Sequence, residues 1–316
     1  MAAQQTPAQS RVIDPILTEI ARGYGRPTAR VANILFPIVQ VTARGGTILS
    51  FGPDSFRLVN SARAPGANTK RVQLGYTSGK YSLVDHRLEG EVPVEPDEEA
   101  QNVPGIDLGE MAVNTVQDMM SNEREKQAAD LALDPNNYAA SNKETLSGDD
   151  QWTDPDSDPF TAINHARNVI RSKVGRKPNV LEVGPSVLTA LRSHPKILDR
   201  LSTAADRPPA TIEQLQRLLE IEQIVEGEAT FYDGSNFVDM WGNDAVLAYT
   251  TKASVQQRGA PNFGYTYQLA GRPDVEEPYF EKNTQTWYYP VSDAYQPVLV
   301  GATAGFLFKN AAAPSV

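Results

Sequence analysis

The chain has 316 residues, 40% of them hydrophobic and 22% charged, with no cysteine, a formal net charge of −10 and a pI near 4.9. This composition is globular, and the absence of thiols excludes disulfides, thiolate zinc sites and cysteine nucleophiles while permitting synthesis in a reducing cytosol. The acidic balance argues against a surface that grips nucleic-acid backbones, so sequence-specific DNA binding is not expected.

The first 45 residues are predicted to form an arm. Val12 to Ile20 is a short amphipathic segment, and Val31 to Val41 is predicted to be extended, with Pro37 favouring an edge strand before a turn at Gly45-Gly46. The polar start lacks a signal-peptide core, and no apolar run approaches the roughly 18 residues that cross a membrane. We therefore expect a soluble chain without a visible export signal and without a membrane partner.

A long two-stranded excursion is predicted next, over about residues 46–95. Its β-like runs are Thr47–Phe51, Arg71–Tyr76 and Tyr81–Leu88, and Pro65-Gly66 would set the turn at the tip. The segment is basic within an acidic chain through Arg57, Arg63, Lys70, Arg71, Lys80 and Arg87. Because a hairpin of this length is not stable alone, we expect it to lie on an acidic patch, such as Glu95 to Glu99, of another copy.

The longest predicted element is a helix from Asp107 to about Leu133. Asp107 and Glu110 form a D-x-x-E variant of the capping box, and Asp134-Pro135 ends the pattern. Three- and four-residue steps predict a buried face made of Leu108, Met111, Ala112, Thr115, Met119 and Met120. The polar face is predicted to hold Gln117, Asp118, Ser121, Asn122, Glu125 and Lys126.

Further helices and short strands follow an acidic loop at residues 147–158. Asp158-Pro159 is predicted to cap and start a second helix. Other predicted helices cover Gly184 to His194, Lys196 to Leu201 and Thr211 to Leu219, the last with a Thr211–Gln214 capping box. Predicted strands are Asn179–Val183, Ile221–Val225, Phe237–Trp241 and Ala245–Thr250, before a strand-rich aromatic region at 261–316.

No motif predicts chemistry, a cofactor or a metal. Asp154, Asp156 and Asp158 have the first spacings of a calcium loop, but Pro159 and His165 occupy the positions that need glycine and glutamate. The histidines at 86, 165 and 194 lack metal-ligand spacing, and no G-x-S-x-G motif is present. A solvated loop and a helix cap are the favoured interpretation of the aspartates.

Several short segments, taken in order, resemble the major capsid proteins of tailed bacteriophages with the Hong Kong phage-type fold. The segments are Leu35-Phe36-Pro37 with Val39 and Val41, Arg63-Ala64-Pro65-Gly66-Ala67 with Val72, Tyr76 and Tyr81, Glu123-Arg124-Glu125-Lys126 with Ala128-Ala129, Lys177-Pro178-Asn179-Val180-Leu181 with Gly184-Pro185, Leu191-Arg192-Ser193-His194-Pro195-Lys196-Ile197, and Trp241-Gly242-Asn243-Asp244-Ala245-Val246-Leu247-Ala248-Tyr249. No single segment is diagnostic, but their order and spacing are specific. The resemblance covers nearly the whole chain.

The resemblance implies an α+β capsid fold with four parts. Residues 1–45 would be the N-terminal arm and 46–95 the extended loop. Residues 96–158 and 286–316 would form a peripheral domain with the spine helix at 107–133, and 159–285 an axial domain. Contacts between copies would involve Arg63, Pro65, Gly66, Lys70 and Arg71 on the loop and Glu95, Asp97, Glu98, Glu99, Glu123 and Arg124 on the receiving side. The run Glu123-Arg124-Glu125-Lys126 is equally well interpreted as a solvated surface.

The implied function is that of a structural protein and not of an enzyme. It would self-assemble as hexamers and pentamers into the icosahedral shell around phage double-stranded DNA, in the host cytoplasm, and remain in the virion. A short arm implies a separate scaffolding protein, together with a portal protein, and a decoration protein is left open. The alternatives are an encapsulin-like compartment and a soluble enzyme with no recognisable site.

Overall fold

The computed structural model describes residues 30–51, 62, 76–100, 107–201, 208–251 and 262–313 as a chain of mixed helices and strands. The α-helices of these ranges are α1 Val31–Leu35, α2 Val94–Ala100, α3 Leu108–Leu133, α4 Pro159–Val174, α5 Pro185–Ser193, α6 Pro195–Leu201 and α7 Ile212–Leu219. The strands are β1 Ile38–Val41, β2 Gly45–Phe51, β3 Tyr76–Ser82, β4 Val84–Pro93, β5 Lys143–Thr145, β6 Val180–Val183, β7 Gln223–Glu226, β8 Thr230–Tyr232, β9 Phe237–Asp239, β10 Ala245–Ala248, β11 Gly264–Leu269, β12 Asp274–Val275, β13 Tyr279–Glu281, β14 Thr286–Leu299 and β15 Gly305–Lys309. Among the described helices, none combines the length and the apolarity that a membrane span requires.

Helix α3 begins where the sequence predicts, because the Asp107 carboxylate accepts a hydrogen bond from the Glu110 N–H at 3.0 Å. The predicted buried face is wrong at Met111 and Met119, which are 56% and 57% exposed, and is confirmed at Met120, which is 4% exposed. The buried residues of α3 are Gly109, Val113, Val116, Met120, Glu125, Ala128, Ala129 and Ala132. Both rows have three- and four-residue steps, so periodicity alone does not decide which one faces the core.

The two halves of α3 pack in different cores. The N-terminal half joins a cluster made of Val113, Val116, Met120, Val275 and Val291. The C-terminal half joins the larger core through Ala128, Ala129 and Ala132. Small residues let the helix approach closely: a Cβ atom added to Gly90 would lie 2.9 Å from the Ala112 Cβ atom.

The N-terminal half of α3 lies on a six-stranded sheet that is built around β14. The strand order is β1-β11-β14-β12, and β4 and β13 also pair with β14. β4 runs antiparallel to β14 from the Val84–Tyr295 pair to the Pro93–Thr286 pair. β1 lies at the outer end of this order and runs parallel to β11, so the edge strand predicted within Val31 to Val41 is confirmed over Ile38–Val41.

The second sheet has five strands in the order β5-β15-β10-β6-β7. Its central strands β6 and β10 are buried throughout, and α4 packs against β10 and β15. Asp158 caps α4 by accepting a hydrogen bond from the Thr161 N–H at 3.1 Å, and Gly175 ends it in a left-handed conformation with φ 70°. The predicted start of α4 and the Thr211–Gln214 capping box of α7 are both confirmed.

Two predictions near the N-terminus are wrong. Val31 to Leu35 forms the short helix α1 instead of extended chain, because the Glu125 carboxylate accepts a hydrogen bond from the Ala32 N–H and so caps this turn from a distant helix. Gly45-Gly46 opens strand β2 instead of turning the chain, and the bend lies at 42–44. The predicted amphipathic segment Val12 to Ile20 lies outside the described residues.

The strands of the C-terminal region are divided between the two large sheets. Strands β11 to β14 belong to the six-stranded sheet, whereas β15 returns to the five-stranded sheet and pairs with β10 and β5. The boundaries of a peripheral and an axial domain stay a prediction.

Candidate contact surface

The predicted contact residues of the loop, Arg63, Pro65, Gly66, Lys70 and Arg71, lie outside the described residues. The strands that carry this loop are described. β2 and β3 pair antiparallel from Gly45–Ser82 to Phe51–Tyr76. The structure thus gives the base of the predicted hairpin, and the basic segment falls between its two strands in the chain.

The predicted acidic patch is the helix α2, which directly follows β4. Glu95 and Glu98 are exposed, Asp97 is half-buried, and Glu99 lies in the same helix. Glu95 and Asp97 are in its first turn, where acidic side chains interact favourably with the helix dipole. This helix therefore presents negative charge beside the end of β4.

Glu123 and Arg124 make contacts within the chain. A Glu123 carboxylate oxygen lies 3.3 Å from His86 Nδ1, and the His86 ring stacks on Tyr295 at 4.1 Å between centroids. The Arg124 guanidinium lies 5.7 Å from the centre of the Tyr295 ring. These contacts fix the middle of α3 against β4 and β14.

A row of exposed apolar side chains lies where α3 passes β4. Val84, Leu88, Met111 and Met119 are 51%, 40%, 56% and 57% exposed. Met111 and Met119 lie on the same four-residue row of α3 as Glu123, and Val84 and Leu88 lie on the same face of β4 as His86, the partner of Glu123. We call these four residues the α3–β4 strip.

The strip borders an open strand edge, since β4 pairs only with β14 among the described strands. Such an edge has backbone donors and acceptors available to another chain, and exposed apolar side chains on the elements that form it are typical of an interaction surface. The neighbouring exposed side chains Glu91, Glu95 and Glu98 add negative charge. The surface is therefore suited to an extended, basic partner segment.

Glu125 is a polar residue whose role the sequence did not reveal. It is predicted to lie on the polar face of the long helix, but it is buried, and its carboxylate accepts hydrogen bonds from Trp241 Nε1 at 2.8 Å and from the Ala32 N–H at 3.1 Å. Burial raises its pKa, and the Trp241 and Ala32 hydrogen bonds act in the opposite direction. Both partners are distant in the chain, so no local pattern marks the residue.

The histidine and aspartate side chains that could suggest a catalytic or metal site are engaged in hydrogen bonds within the chain. A cavity of about 600 Å³ beside α5 is lined in part by His194, whose Nε2 lies 3.0 Å from the Asp154 carbonyl oxygen and 3.1 Å from Ser157 Oγ. The Asp154 carboxylate accepts a hydrogen bond from the Asp156 N–H at 2.8 Å. Within the described ranges, no group of three acidic or histidine side chains is arranged to hold a metal ion.

Comparisons with a family profile, with known sequences and with solved structures agree on one family. The profile of the family described as phage major capsid protein E matches residues 110–292. The major capsid protein of Burkholderia phage BcepMu is 34% identical over 307 residues, which are 95% of this chain and 97% of that protein. A solved structure of a phage-related protein from Bordetella bronchiseptica RB50 is 43% identical, with a TM-score of 0.82 over 97% of this chain and 99% of that one.

More distant structures share the fold alone. The capsid structure of cyanophage P-SCSP1u is 12% identical with a TM-score of 0.55, covering 92% of this chain and 90% of that one. The SrpI encapsulin of Synechococcus elongatus PCC 7942 is 14% identical with a TM-score of 0.54, covering 98% and 92%. The fold is thus the Hong Kong phage-type capsid fold, and the chain belongs to the phage major capsid protein E family.

Proposed function

We propose that this shell-forming protein assembles as hexamers and pentamers into a closed icosahedral capsid that encloses the double-stranded DNA genome of a tailed phage. The observation that carries the proposal is its similarity to a phage major capsid protein along almost the entire length of both chains. A structural role without catalysis is part of the proposal, as are assembly in the host cytoplasm with a separate scaffolding protein and a portal protein, and residence in the virion.

The net charge of −10 supports a container that does not hold its DNA by sequence-specific contacts. Specific recognition needs a surface that binds phosphates, and a wall with a strong positive field would retain the genome. A decoration protein on the outer surface is compatible with the proposal and is not required by it.

For the contact between copies, we propose that the basic segment around Arg63, Lys70 and Arg71 lies on the α3–β4 strip and helix α2 of a neighbour. Pro65-Gly66 would set its turn. The support is charge complementarity with Glu95, Asp97, Glu98 and Glu99, together with the exposed apolar side chains that such a segment would cover. Arg63 is expected to contribute most, because its planar guanidinium can bind a carboxylate through two parallel hydrogen bonds.

Electron microscopy of the purified protein, expressed with its scaffolding protein, tests the assembly proposal. We expect closed shells built from hexameric and pentameric capsomers. Small empty shells that take up a protein cargo and never DNA would support the encapsulin-like compartment instead. A particle-free, monomeric protein in analytical ultracentrifugation under the same conditions would contradict both.

A further inference from the structure

A glutamate occupies the middle of the five-stranded sheet. Glu182 lies in β6, between β10 and β7, and is 0% exposed. Neither side-chain oxygen has a hydrogen-bond partner among the described residues. An ionised carboxylate in such a place would carry a desolvation penalty that no well-formed hydrogen bond offsets.

Neighbouring acidic side chains make the ionisation of Glu182 still more unfavourable. It interacts electrostatically with two other buried acids, Glu125 of α3 and Asp244, which precedes β10. Both of those acids have donors: Glu125 binds Trp241 and the Ala32 N–H, and Asp244 accepts from Lys309 Nζ at 2.6 Å and from the Asn310 N–H at 2.7 Å. Glu182 is the member of this cluster without one.

Among the described residues, the other titratable groups near this cluster do not supply Glu182 with a counter-charge. The Tyr138 hydroxyl, whose pKa Glu182 helps to raise, donates to the Ala132 carbonyl oxygen at 2.7 Å. The positive charge of Lys309 is bonded to Asp244, and that of Arg30 acts on Glu125. Glu125, Glu182 and Asp244 form a cluster of buried acids between α3, β6 and the residue that precedes β10.

We propose that Glu182 is held as a neutral carboxylic acid and that its ionisation as the pH is raised loosens the packing of α3 on the five-stranded sheet. Burial first, and then Asp244 and Glu125, raise the pKa of Glu182 well above its ordinary value, and the Val246 backbone amide opposes them less strongly. In the unfolded chain this carboxyl ionises near its ordinary pKa of about 4.5. Above that pH the unfolded state binds fewer protons than the folded state, so folding stability falls as the pH rises towards the folded pKa.

The test compares the full-length wild type with Glu182→Gln, which keeps the shape and removes the titration. Glu144→Gln, at an exposed glutamate of β5 in the same sheet, is the matched control. In infrared spectra at neutral pH, we expect a protonated-carboxyl C=O band that Glu182→Gln loses and Glu144→Gln keeps. In unfolding experiments, the wild-type unfolding constant rises relative to that of Glu182→Gln by up to about tenfold per pH unit above the unfolded pKa.

Hydrogen exchange tests the link to α3. We expect amide exchange in residues 125–133 of the wild type to increase at alkaline pH beyond the intrinsic rate, and Glu182→Gln to suppress this increase. An unchanged carboxyl band in Glu182→Gln, or pH profiles of stability that run parallel, would overturn the proposal. If Glu182→Gln does not fold, the wild type decides alone: loss of the band at alkaline pH while α3 stays protected would contradict the proposal, and loss of both together supports it.

Discussion

Glu125 joins two segments that are far apart in the chain, because one carboxylate accepts from both the Trp241 indole and the Ala32 N–H. Its place in the fold depends on donors at sequence distances of 116 and 93 residues. A sequence pattern confined to one helix cannot reveal such a partner. The prediction that Glu125 is a surface residue failed for this reason.

Replacing Glu125 tests its role at the level of one side chain. Glu125→Ala leaves the Trp241 and Ala32 N–H groups buried without an acceptor, and we expect a loss of about 3 kcal/mol in the free energy of unfolding. Glu125→Gln keeps one acceptor oxygen and is expected to lose less. Asp130→Ala, which removes an exposed pair with Lys126, is the control and is expected to stay within about 0.5 kcal/mol. Equal stability of Glu125→Ala and Asp130→Ala in urea unfolding would refute this assignment.

The buried imidazole of His194 is expected to make folding stability decrease at acidic pH. Burial lowers its pKa in the folded chain, whereas the imidazole of the unfolded chain keeps a pKa near 6.5. The unfolded state therefore binds more protons, and folding stability falls as the pH decreases through this value. We expect thermal melts of His194→Gln between about pH 5.5 and 7.5 (roughly one unit on either side of the unfolded pKa) to lose this component. His165→Gln, at an exposed imidazole of α4, should retain the wild-type slope, and a shared slope in all three proteins would count against the assignment.

Helix starts were predicted well from the sequence because their signals are local. Asp107, Asp158 and Thr211 each bond to an amide three residues ahead, and all three caps are where the sequence places them. Most of the buried face of α3, apart from Met120, was not predicted, because the orientation of the helix depends on what it packs against. Small residues such as Gly109 face the sheet, where a larger side chain would meet Tyr289.

Substitutions at two adjacent methionines of α3 distinguish an effect on folding from an effect on assembly. Met120 is buried against the six-stranded sheet, so Met120→Asp places a charge in an apolar cluster and is expected to cost about 3 kcal/mol or more, or to abolish folding. Met119 is exposed in the α3–β4 strip, so Met119→Asp is expected to change the unfolding free energy by less than about 0.5 kcal/mol. Circular dichroism reports folding, and electron microscopy reports the shells.

The proposed contact predicts that Met119→Asp folds but assembles poorly. A variant that folds and still gives wild-type shells would remove the strip from the contact. A Met120→Asp protein as stable as the wild type would instead show that the buried face of α3 has been assigned wrongly.

At the scale of the whole molecule, the order of short segments along the chain predicted the capsid family, which the comparisons confirm. No residue of those segments is diagnostic alone, so the information lies in their spacing. The way in which the C-terminal strands divide between two sheets was not predicted. It follows from pairing between strands that are distant in sequence, such as β15 with β5.

Charge reversal of the basic segment tests the contact between copies. Each exposed ion pair contributes only about 0 to 1 kcal/mol, but a closed shell repeats the pair at every equivalent contact. Changing Arg63, Lys70 and Arg71 together to Glu is therefore expected to leave circular dichroism unchanged while abolishing or loosening the shells. Salt should loosen wild-type shells in the same way, because it screens exposed charges.

A control with the same change in net charge isolates the site. Arg171, Arg176 and Arg217 are exposed on α4, after it and on α7, and their joint change to Glu alters the net charge equally. We expect this variant to assemble. Loop-reversed protein that forms shells with unchanged salt sensitivity would exclude an electrostatic contact and leave apolar contacts as the source of cohesion.

Helix α3 has 26 residues, contains no proline, and has its single glycine, Gly109, in the first turn. It therefore lacks the features that kink helices, although its two halves are fixed in separate cores. At about 1.5 Å per residue it is a straight helix about 39 Å long. Rotating it by about 5° about one end therefore moves the other end by about 3 Å. If the chain occupies five-fold and six-fold positions of a shell, as proposed, the difference in curvature between them is then expected to be taken up where neighbouring segments attach to the helix, and not by bending of the helix itself.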